Sequence, residues 1–122
     1  MTDPHGEETP PSAWIARFLH QAPRALPVLD LAAGGGRHTR LARALGFKVM
    51  AADVAIDGLV DLTGDPRITV VAADLEDGAP WPFGGQQFGA VVVANYLYRP
   101  ILPNIVAADA PGGLLDYETF AR

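Results

Sequence analysis

The stretch VLDLAAGGGRHTRLA, from Val28 to Ala42, runs from an apolar strand pattern through three consecutive glycines into a helical pattern. Glycine loses more conformational entropy on folding than any other residue. A turn that contains three glycines therefore predicts backbone with positive φ, or backbone that a bound group approaches closely. The strands around this turn indicate which kind of group that is.

The composition predicts one globular domain. The chain has 122 residues, of which 49% are hydrophobic and 19% charged. This is enough apolar material for a core, and it excludes a disordered chain. The formal net charge of −5 argues against nucleic acid or an anionic membrane surface as the main partner. The absence of cysteine excludes disulfides and thiolate chemistry.

The N-terminal segment MTDPHGEETPPS is polar, acidic and rich in proline, unlike a signal peptide. No apolar run approaches the roughly 20 residues that span a bilayer. We therefore expect a cytoplasmic protein with a flexible tail over residues 1–11 and one domain over residues 12–122. No metal-ligand spacing joins His5, His20 and His38, so no metal site is predicted. We expect His38, in the first turn of a helix, to lie on the surface.

Strand and helix patterns alternate along this domain. Helical spacing of apolar residues predicts helices over SAWIARFLHQA, RHTRLARALG and PILPNIVAADA, and a short, broken helix over IDGLVDLTGD. Apolar runs predict strands over PVLDLAA, FKVMAADV, RITVVAAD, GAVVVAN and GGLLDYETFA. Strands that are apolar nearly throughout imply parallel pairing with helices on both faces. The predicted fold class is α/β, a Rossmann-like three-layer sandwich with a mainly parallel sheet of about five strands.

Polar or glycine residues follow the carboxyl ends of four successive strands. Gly34–Gly36 follow the first strand, Asp53 ends the second, Asp74 ends the third and Asn95 ends the fourth. Ligands of such sheets bind outside these ends, where the strand order reverses. Bare backbone N–H groups at a helix N-terminus favour the binding of negative groups. An acid one strand away is placed to accept hydrogen bonds from ribose hydroxyls. Each residue taken singly is also explained as a cap or a turn residue, but together they predict a nucleotide-type site.

The spacing of the glycines indicates which class of nucleotide-binding site the turn resembles. The dinucleotide pattern G-x-G-x-x-G, phased on Gly34 and Gly36, places Thr39 where its third glycine should stand. The phosphate-binding pattern G-x-x-x-x-G-K-[ST] is absent as well. The pattern that the sequence does match is h-h-D-h-x-x-G-x-G, in which h is an apolar residue and the D is Asp30, inside the first strand. An NAD-type oxidoreductase stays an alternative, which Thr39 disfavours.

This pattern resembles motif I of the class I methyltransferases that depend on S-adenosylmethionine (SAM). The segments MAADV, VVAADLEDG, FGAVVVANYLY and APGGLLDYETFA follow in that family's order and spacing. The pieces NYLYRP and YETF resemble small bacterial methyltransferases of the tellurite-resistance type. The resemblance implies SAM as cofactor and methyl transfer to a small-molecule acceptor.

The resemblance also implies a cofactor site drawn from the strand ends. The glycines would line the methionine part of SAM, and Asp53 would accept hydrogen bonds from the ribose hydroxyls. Asp74 with Leu75 would contact the adenine, and Asn95 and Tyr96 would border the transferring methyl group. No residue is implied as catalytic. The cofactor-binding residues implied are Asp30, Ala32, Gly34, Gly36, Asp53, Val54, Asp74, Leu75, Asn95 and Tyr96.

Three features depart from the family's pattern, and one of them is Gly89, which stands in the place of the usual aspartate before the fourth strand. Ala32 occupies the place of the first glycine of G-x-G-x-G. The family's sheet continues past the fifth strand with two more strands that this chain lacks, so the chain resembles a truncated domain. The apolar strand from Leu114 to Phe120 would then be an edge with unpaired backbone groups. The alternatives are a homodimer that pairs through this edge, or a fragment of a longer protein. A non-catalytic SAM- or nucleotide-binding module stays open beside the enzyme.

Overall fold

A computed structural model describes residues 13–94, 96 and 98–118 of the chain. The predicted tail over residues 1–11 and Asn95 lie outside the described residues. In chain order the elements are α1 (Ala13–Leu19), β1 (Val28–Leu31), α2 (Arg37–Ala44), β2 (Val49–Asp53), the 3₁₀ helix η1 (Asp57–Leu62), β3 (Ile68–Ala72), β4 (Phe88–Ala94), the 3₁₀ helix η2 (Arg99–Ile101), α3 (Leu102–Ala108) and β5 (Asp109–Glu118).

The strands form one sheet in the order β3-β2-β1-β4-β5. Every pair of neighbouring strands in the sheet is parallel. The predicted α/β, Rossmann-like class is therefore confirmed. The strand order reverses at β1, because β2 and β3 lie on one side of it and β4 and β5 on the other. The carboxyl ends of β1 and β4 consequently flank the position at which such sheets bind ligands.

The helices cover both faces of the sheet, as the apolar strands require. On one face, a core cluster that includes Ile15, Leu19 and Val92 joins α1 to the sheet. On the other face, Ile105 of α3 and Phe83 of the loop before β4 pack against the strands. Burial on both faces explains why the central strands β1 and β4 are continuous apolar runs in the sequence. Of the helices in the described ranges, none combines the length and apolarity needed to cross a membrane.

The last strand begins earlier than the predicted segment GGLLDYETFA. β5 starts at Asp109, which pairs with Phe88, and the register shifts between Phe88 and Ala90. Pro111 and Gly112 therefore lie within an irregular strand segment, where Gly112 has a φ of 79°. Pairing with β4 resumes at Leu114, opposite Ala90, so the turn residues stand in a bulge between two paired parts of the strand.

Candidate functional site

Asp53, the last residue of β2, is bonded to the glycine turn after β1. Its Oδ2 accepts a hydrogen bond from the Gly34 N–H at 2.8 Å. Its Oδ1 accepts one from the Ala55 N–H at 3.0 Å. Val54, the next predicted site residue, is exposed at this end of the sheet. The structure thus brings together the carboxylate and the glycine turn that the sequence places in one site.

The three glycines of the turn have different surroundings. A Cβ at Gly34 or Gly35 would meet no atom within 4 Å, so open space adjoins the backbone there. A Cβ at Gly36 would lie 2.7 Å from Leu59 Cδ2, because η1 packs against that residue. Gly34 and Gly36 have φ of 57° and 85°, a region that favours glycine. A ligand can therefore approach the backbone at Gly34 and Gly35, whereas Gly36 is required by packing and conformation.

Ala32 is left-handed, with a φ of 58°, and no other described residue except glycine has a positive φ. This conformation costs a residue with a Cβ about 1–2 kcal/mol. Ala32 stands at the first glycine position of the motif that the chain resembles. The backbone here gives the physical reason why glycine suits that position.

Asp30 lies in the buried layer under α2. The Thr39 hydroxyl donates a 2.7 Å hydrogen bond to Asp30 Oδ2, and both side chains are buried. Burial raises the pKa of Asp30 to about 6, and the hydrogen bond from Thr39 opposes that rise. The third glycine of a dinucleotide fingerprint allows a helix to pack closely on a strand. Here Thr39 stands at that position, and its hydrogen bond to Asp30 joins α2 to β1.

His38 is buried, so the expectation of a surface histidine was wrong. Its exposed fraction is 5%, because His38, Thr39 and Ala42 form the face of α2 that packs inward. Burial lowers the pKa of His38 to about 4, and the charge of Arg37 acts in the same direction. The imidazole is therefore neutral at pH 7. Across the described part of the chain, no group of three or more His, Cys, Asp or Glu is placed to hold a metal ion.

A pocket of about 220 Å³ lies beyond the carboxyl end of β3. Asp74 and Leu75, both predicted site residues, border it together with Trp81 and Asn104. Asp74 Oδ1 also accepts the Glu76 N–H at 2.9 Å, which fixes the start of the loop. The lining combines apolar side chains, Trp81 among them, with polar groups, and this combination suits a flat ring that has hydrogen-bonding edges.

Tyr96 connects the end of β4 to the loop after β3. Its hydroxyl donates a 2.9 Å hydrogen bond to Glu76 Oε2. Burial raises the pKa of Tyr96, and the hydrogen bond to Glu76 raises it further, so the phenol keeps its proton at neutral pH. The predicted position of Asn95 beside the methyl group stays a prediction.

Asp116 and Glu118 of β5 form a carboxylate pair that was not among the predicted site residues. The two lie on one face of the strand, in register with Val92 and Ala94 of β4. Trp14 Nε1 donates a 3.1 Å hydrogen bond to Asp116 Oδ1. Asp116 Oδ2 and Glu118 Oε2 are buried and find no hydrogen-bond partner among the described residues. The contact of Glu118 with Asp116, together with burial, raises the pKa of Glu118 to about 7. Two acids spaced two apart in the apolar run LLDYE were the signal in the sequence.

The chain is similar in fold to solved structures of methyltransferases. No family model and no curated protein matches the sequence. Of the solved structures, the glycopeptide N-methyltransferase MtfA with sinefungin is 30% identical, with a TM-score of 0.62 over 83% of this chain and 51% of that one. The CcbJ methyltransferase from Streptomyces caelestis is 25% identical, with a TM-score of 0.64 over 90% of this chain and 51% of that one.

Coclaurine N-methyltransferase, solved with N-methylheliamine and S-adenosylhomocysteine (SAH), shows the same fold at 18% identity. Its TM-score is 0.65 over 84% of this chain and 33% of that one. MtfA has also been solved with SAM and with SAH. The chain spans about half the length of MtfA and of CcbJ.

Proposed function

The chain has the Rossmann-like fold of the SAM-dependent methyltransferases, and on that basis we propose that it binds SAM and transfers the methyl group to a small-molecule acceptor. The contact between Gly34 and Asp53 at 2.8 Å carries this proposal. It joins an acceptor carboxylate to open glycine backbone at the point where the strand order reverses. The binding of SAM, SAH and sinefungin by MtfA supports the choice of cofactor. The tellurite-resistance subtype stays a prediction.

The described residues offer places for the methionine, ribose and adenine parts of SAM. The open backbone beside Gly34 and Gly35 would receive the methionine part. The Asp53 carboxylate would accept the ribose hydroxyls, since a carboxylate oxygen accepts more than one hydrogen bond. The pocket of about 220 Å³ bordered by Asp74 and Leu75 would receive the adenine.

The protein's contribution to the reaction is orientation and proximity. Bound SAM supplies a methyl group that its sulfonium already activates. The residues of this chain would hold that methyl group in line with an acceptor atom at the carboxyl ends of β4 and β5.

We further propose that two copies of the chain pair through β5. Among the described strands, β5 forms one edge of the sheet and pairs with β4 alone. Leu115 is exposed on it, and unpaired apolar edges favour strand addition. Residues 119 and 120 of the predicted interface lie outside the described residues. Sedimentation velocity at high protein concentration should show a dimer, and a monomer would contradict this proposal.

Calorimetric titration with SAH, with NAD as the control ligand, tests the proposed cofactor. We expect SAH to bind and NAD to show no heat of binding. Binding of NAD alone would favour the oxidoreductase, and a folded chain that binds neither would contradict the proposal. Incubation with methyl-labelled SAM and a panel of small-molecule acceptors tests turnover. SAH binding without any methyl transfer would favour the non-catalytic module.

A further inference from the structure

Arg40 of α2 is hydrogen bonded to the glycine turn and to η1 at the same time. Its Nη1 and Nη2 donate to Asp61 Oδ2 and Oδ1 at 2.7 and 3.0 Å. Its Nε and Nη2 each donate to the Gly35 carbonyl at 3.3 Å. Nη2 also donates to the Gly58 carbonyl at 3.2 Å. One guanidinium therefore joins α2, the turn and η1.

η1 packs directly onto the turn. A Cβ at Gly58 would lie 3.0 Å from the Gly34 carbonyl oxygen and 3.0 Å from Gly35 Cα. The backbone of η1 therefore comes closer to the turn than a residue with a side chain permits without adjustment. The position of the turn depends on how η1 is held, and Arg40 holds it.

We propose that Arg40 is a positioning residue of the cofactor site, which keeps η1 against the turn and so sets the backbone at Gly34 and Gly35 for the amino-acid end of the ligand. This inference rests on the proposed function, because that function assigns the methionine part of SAM to the turn. The planar guanidinium has five donors in a fixed arrangement, so it can serve two carbonyls and a carboxylate together. A lysine ammonium has three donors on one nitrogen, which are too few for both carbonyls and both carboxylate oxygens.

The ion pair with Asp61 does not by itself account for this arrangement. The side chains of Arg40 and Asp61 are 42% and 61% exposed, and exposed ion pairs contribute little to stability. The bonds to the Gly35 and Gly58 carbonyls are different, because they fix two backbone segments relative to each other. Removing Arg40 should therefore disturb the turn more than it destabilises the fold.

Arg43 provides a matched control on the same helix. Its Nε donates to Asp65 Oδ2 at 2.8 Å, and the side chains are 38% and 25% exposed. This pair ties α2 to the loop before β3 instead of to the glycine turn. Arg43→Met thus removes a comparable ion pair and leaves the contacts of the turn in place.

The test compares SAH with 5′-methylthioadenosine, which keeps the nucleoside and lacks the amino-acid end. We expect Arg40→Met to weaken SAH binding about tenfold and 5′-methylthioadenosine binding less than about twofold, because only the former ligand reaches the turn. Arg43→Met should change either affinity by less than about twofold. Thermal unfolding of both variants reports the loss of stability separately from the loss of affinity.

Two further variants distinguish the hydrogen bonds from Arg40 to the Gly35 and Gly58 carbonyls from its ion pair with Asp61. The exchange Arg40→Asp with Asp61→Arg restores opposite charges, but an aspartate at position 40 has no donor for the Gly35 carbonyl. We expect SAH binding to stay weak in this exchange. Gly58→Ala inserts a methyl group against Gly34 and Gly35 while Arg40 stays intact, and it should show the same selective loss of SAH.

Equal losses of the two ligands in Arg40→Met, or recovery of SAH binding in the charge exchange, would overturn the inference. So would unchanged SAH binding in Arg40→Met. If Arg40→Met does not fold, Arg40→Lys and Gly58→Ala carry the same comparison. Failure of the unsubstituted chain to bind SAH contradicts the proposed function instead, so the two failures are distinguishable.

Discussion

The Gly34 N–H donates a 2.8 Å hydrogen bond to Asp53 Oδ2, so the last residue of β2 supports the turn that follows β1. The Ala55 N–H occupies the other carboxylate oxygen at 3.0 Å. Ribose hydroxyls would therefore share these oxygens with the backbone instead of meeting a free carboxylate. In the proposed site Asp53 therefore holds the glycine turn and also accepts hydrogen bonds from the ribose hydroxyls.

We expect Asp53→Ala to weaken SAH binding by about 1–3 kcal/mol, the range for polar groups left without a partner. Calorimetric titration measures this change. Asp57→Ala is the control, because Asp57 is an exposed acid in the neighbouring η1, and its affinity for SAH should match that of the unsubstituted chain. An unchanged affinity in Asp53→Ala would rule out the ribose assignment.

Ala32→Gly should raise the free energy of unfolding by about 0.5–1 kcal/mol. The substitution removes the Cβ from a residue whose φ is 58°, and this relief exceeds the entropy that glycine adds to the unfolded chain. Urea denaturation measures the change. Ala33→Gly is the matched control, since Ala33 has no positive φ, and it should lower stability by about 0.5–1 kcal/mol. A similar loss in both variants would contradict the prediction.

Asp30 should make stability depend on pH. Burial raises its pKa from 3.8 to about 6, so the folded chain binds this proton more tightly than the unfolded chain. The contribution to stability is absent above pH 6, grows as the pH falls through 6 and is complete below 3.8. Glu118, whose pKa is raised from 4.5 to about 7, acts in the same direction. His38 opposes both, because its pKa is lowered from 6.5 to about 4.

Asp30→Asn separates this contribution from the other two. We compare the free energy of unfolding of the unsubstituted chain with that of Asp30→Asn. The difference between them should grow by on the order of 1 kcal/mol, in favour of the unsubstituted chain, as the pH falls from 7.5 to 5. His38 and Glu118 are present in both chains, so their contributions cancel in the difference. Chemical denaturation at a series of pH values measures it. A difference that stays constant over this range would contradict the buried, titrating carboxylate.

Tyr96→Phe should weaken SAH and 5′-methylthioadenosine to the same extent, by about 0.5–1 kcal/mol. The hydroxyl of Tyr96 holds Glu76, which belongs to the loop beside the pocket proposed for adenine, and both ligands carry that base. Glu76→Gln should have a similar effect. A double-mutant cycle measures the coupling, and fully additive losses would show that the hydrogen bond does not act on the site.

The patterns of the sequence predicted the sheet well because its central strands β1 and β4 are buried on both faces, and turn residues separate the strands from the helices. The proximity of Asp53 and the glycine turn could also be predicted, since parallel strands bring their carboxyl ends to one edge of the sheet. The expectation for His38 failed because position in a helix does not indicate which face of that helix packs inward. The predicted start of β5 was wrong because Pro111 and Gly112 indicate a turn locally, while the pairing of Asp109 with Phe88 begins the strand before them.

The sequence by itself determined the fold class and the strand ends at which a ligand would bind, because hydrophobic periodicity and glycine spacing are local properties of the chain. Only the tertiary structure decided that Gly36 serves packing while Gly34 and Gly35 stay open, that Thr39 contacts Asp30, and that Arg40 joins α2 to the turn and η1. The Arg40 contacts link residues up to 21 positions apart. Their distances follow from how helices pack on the sheet, which no spacing along the chain expresses.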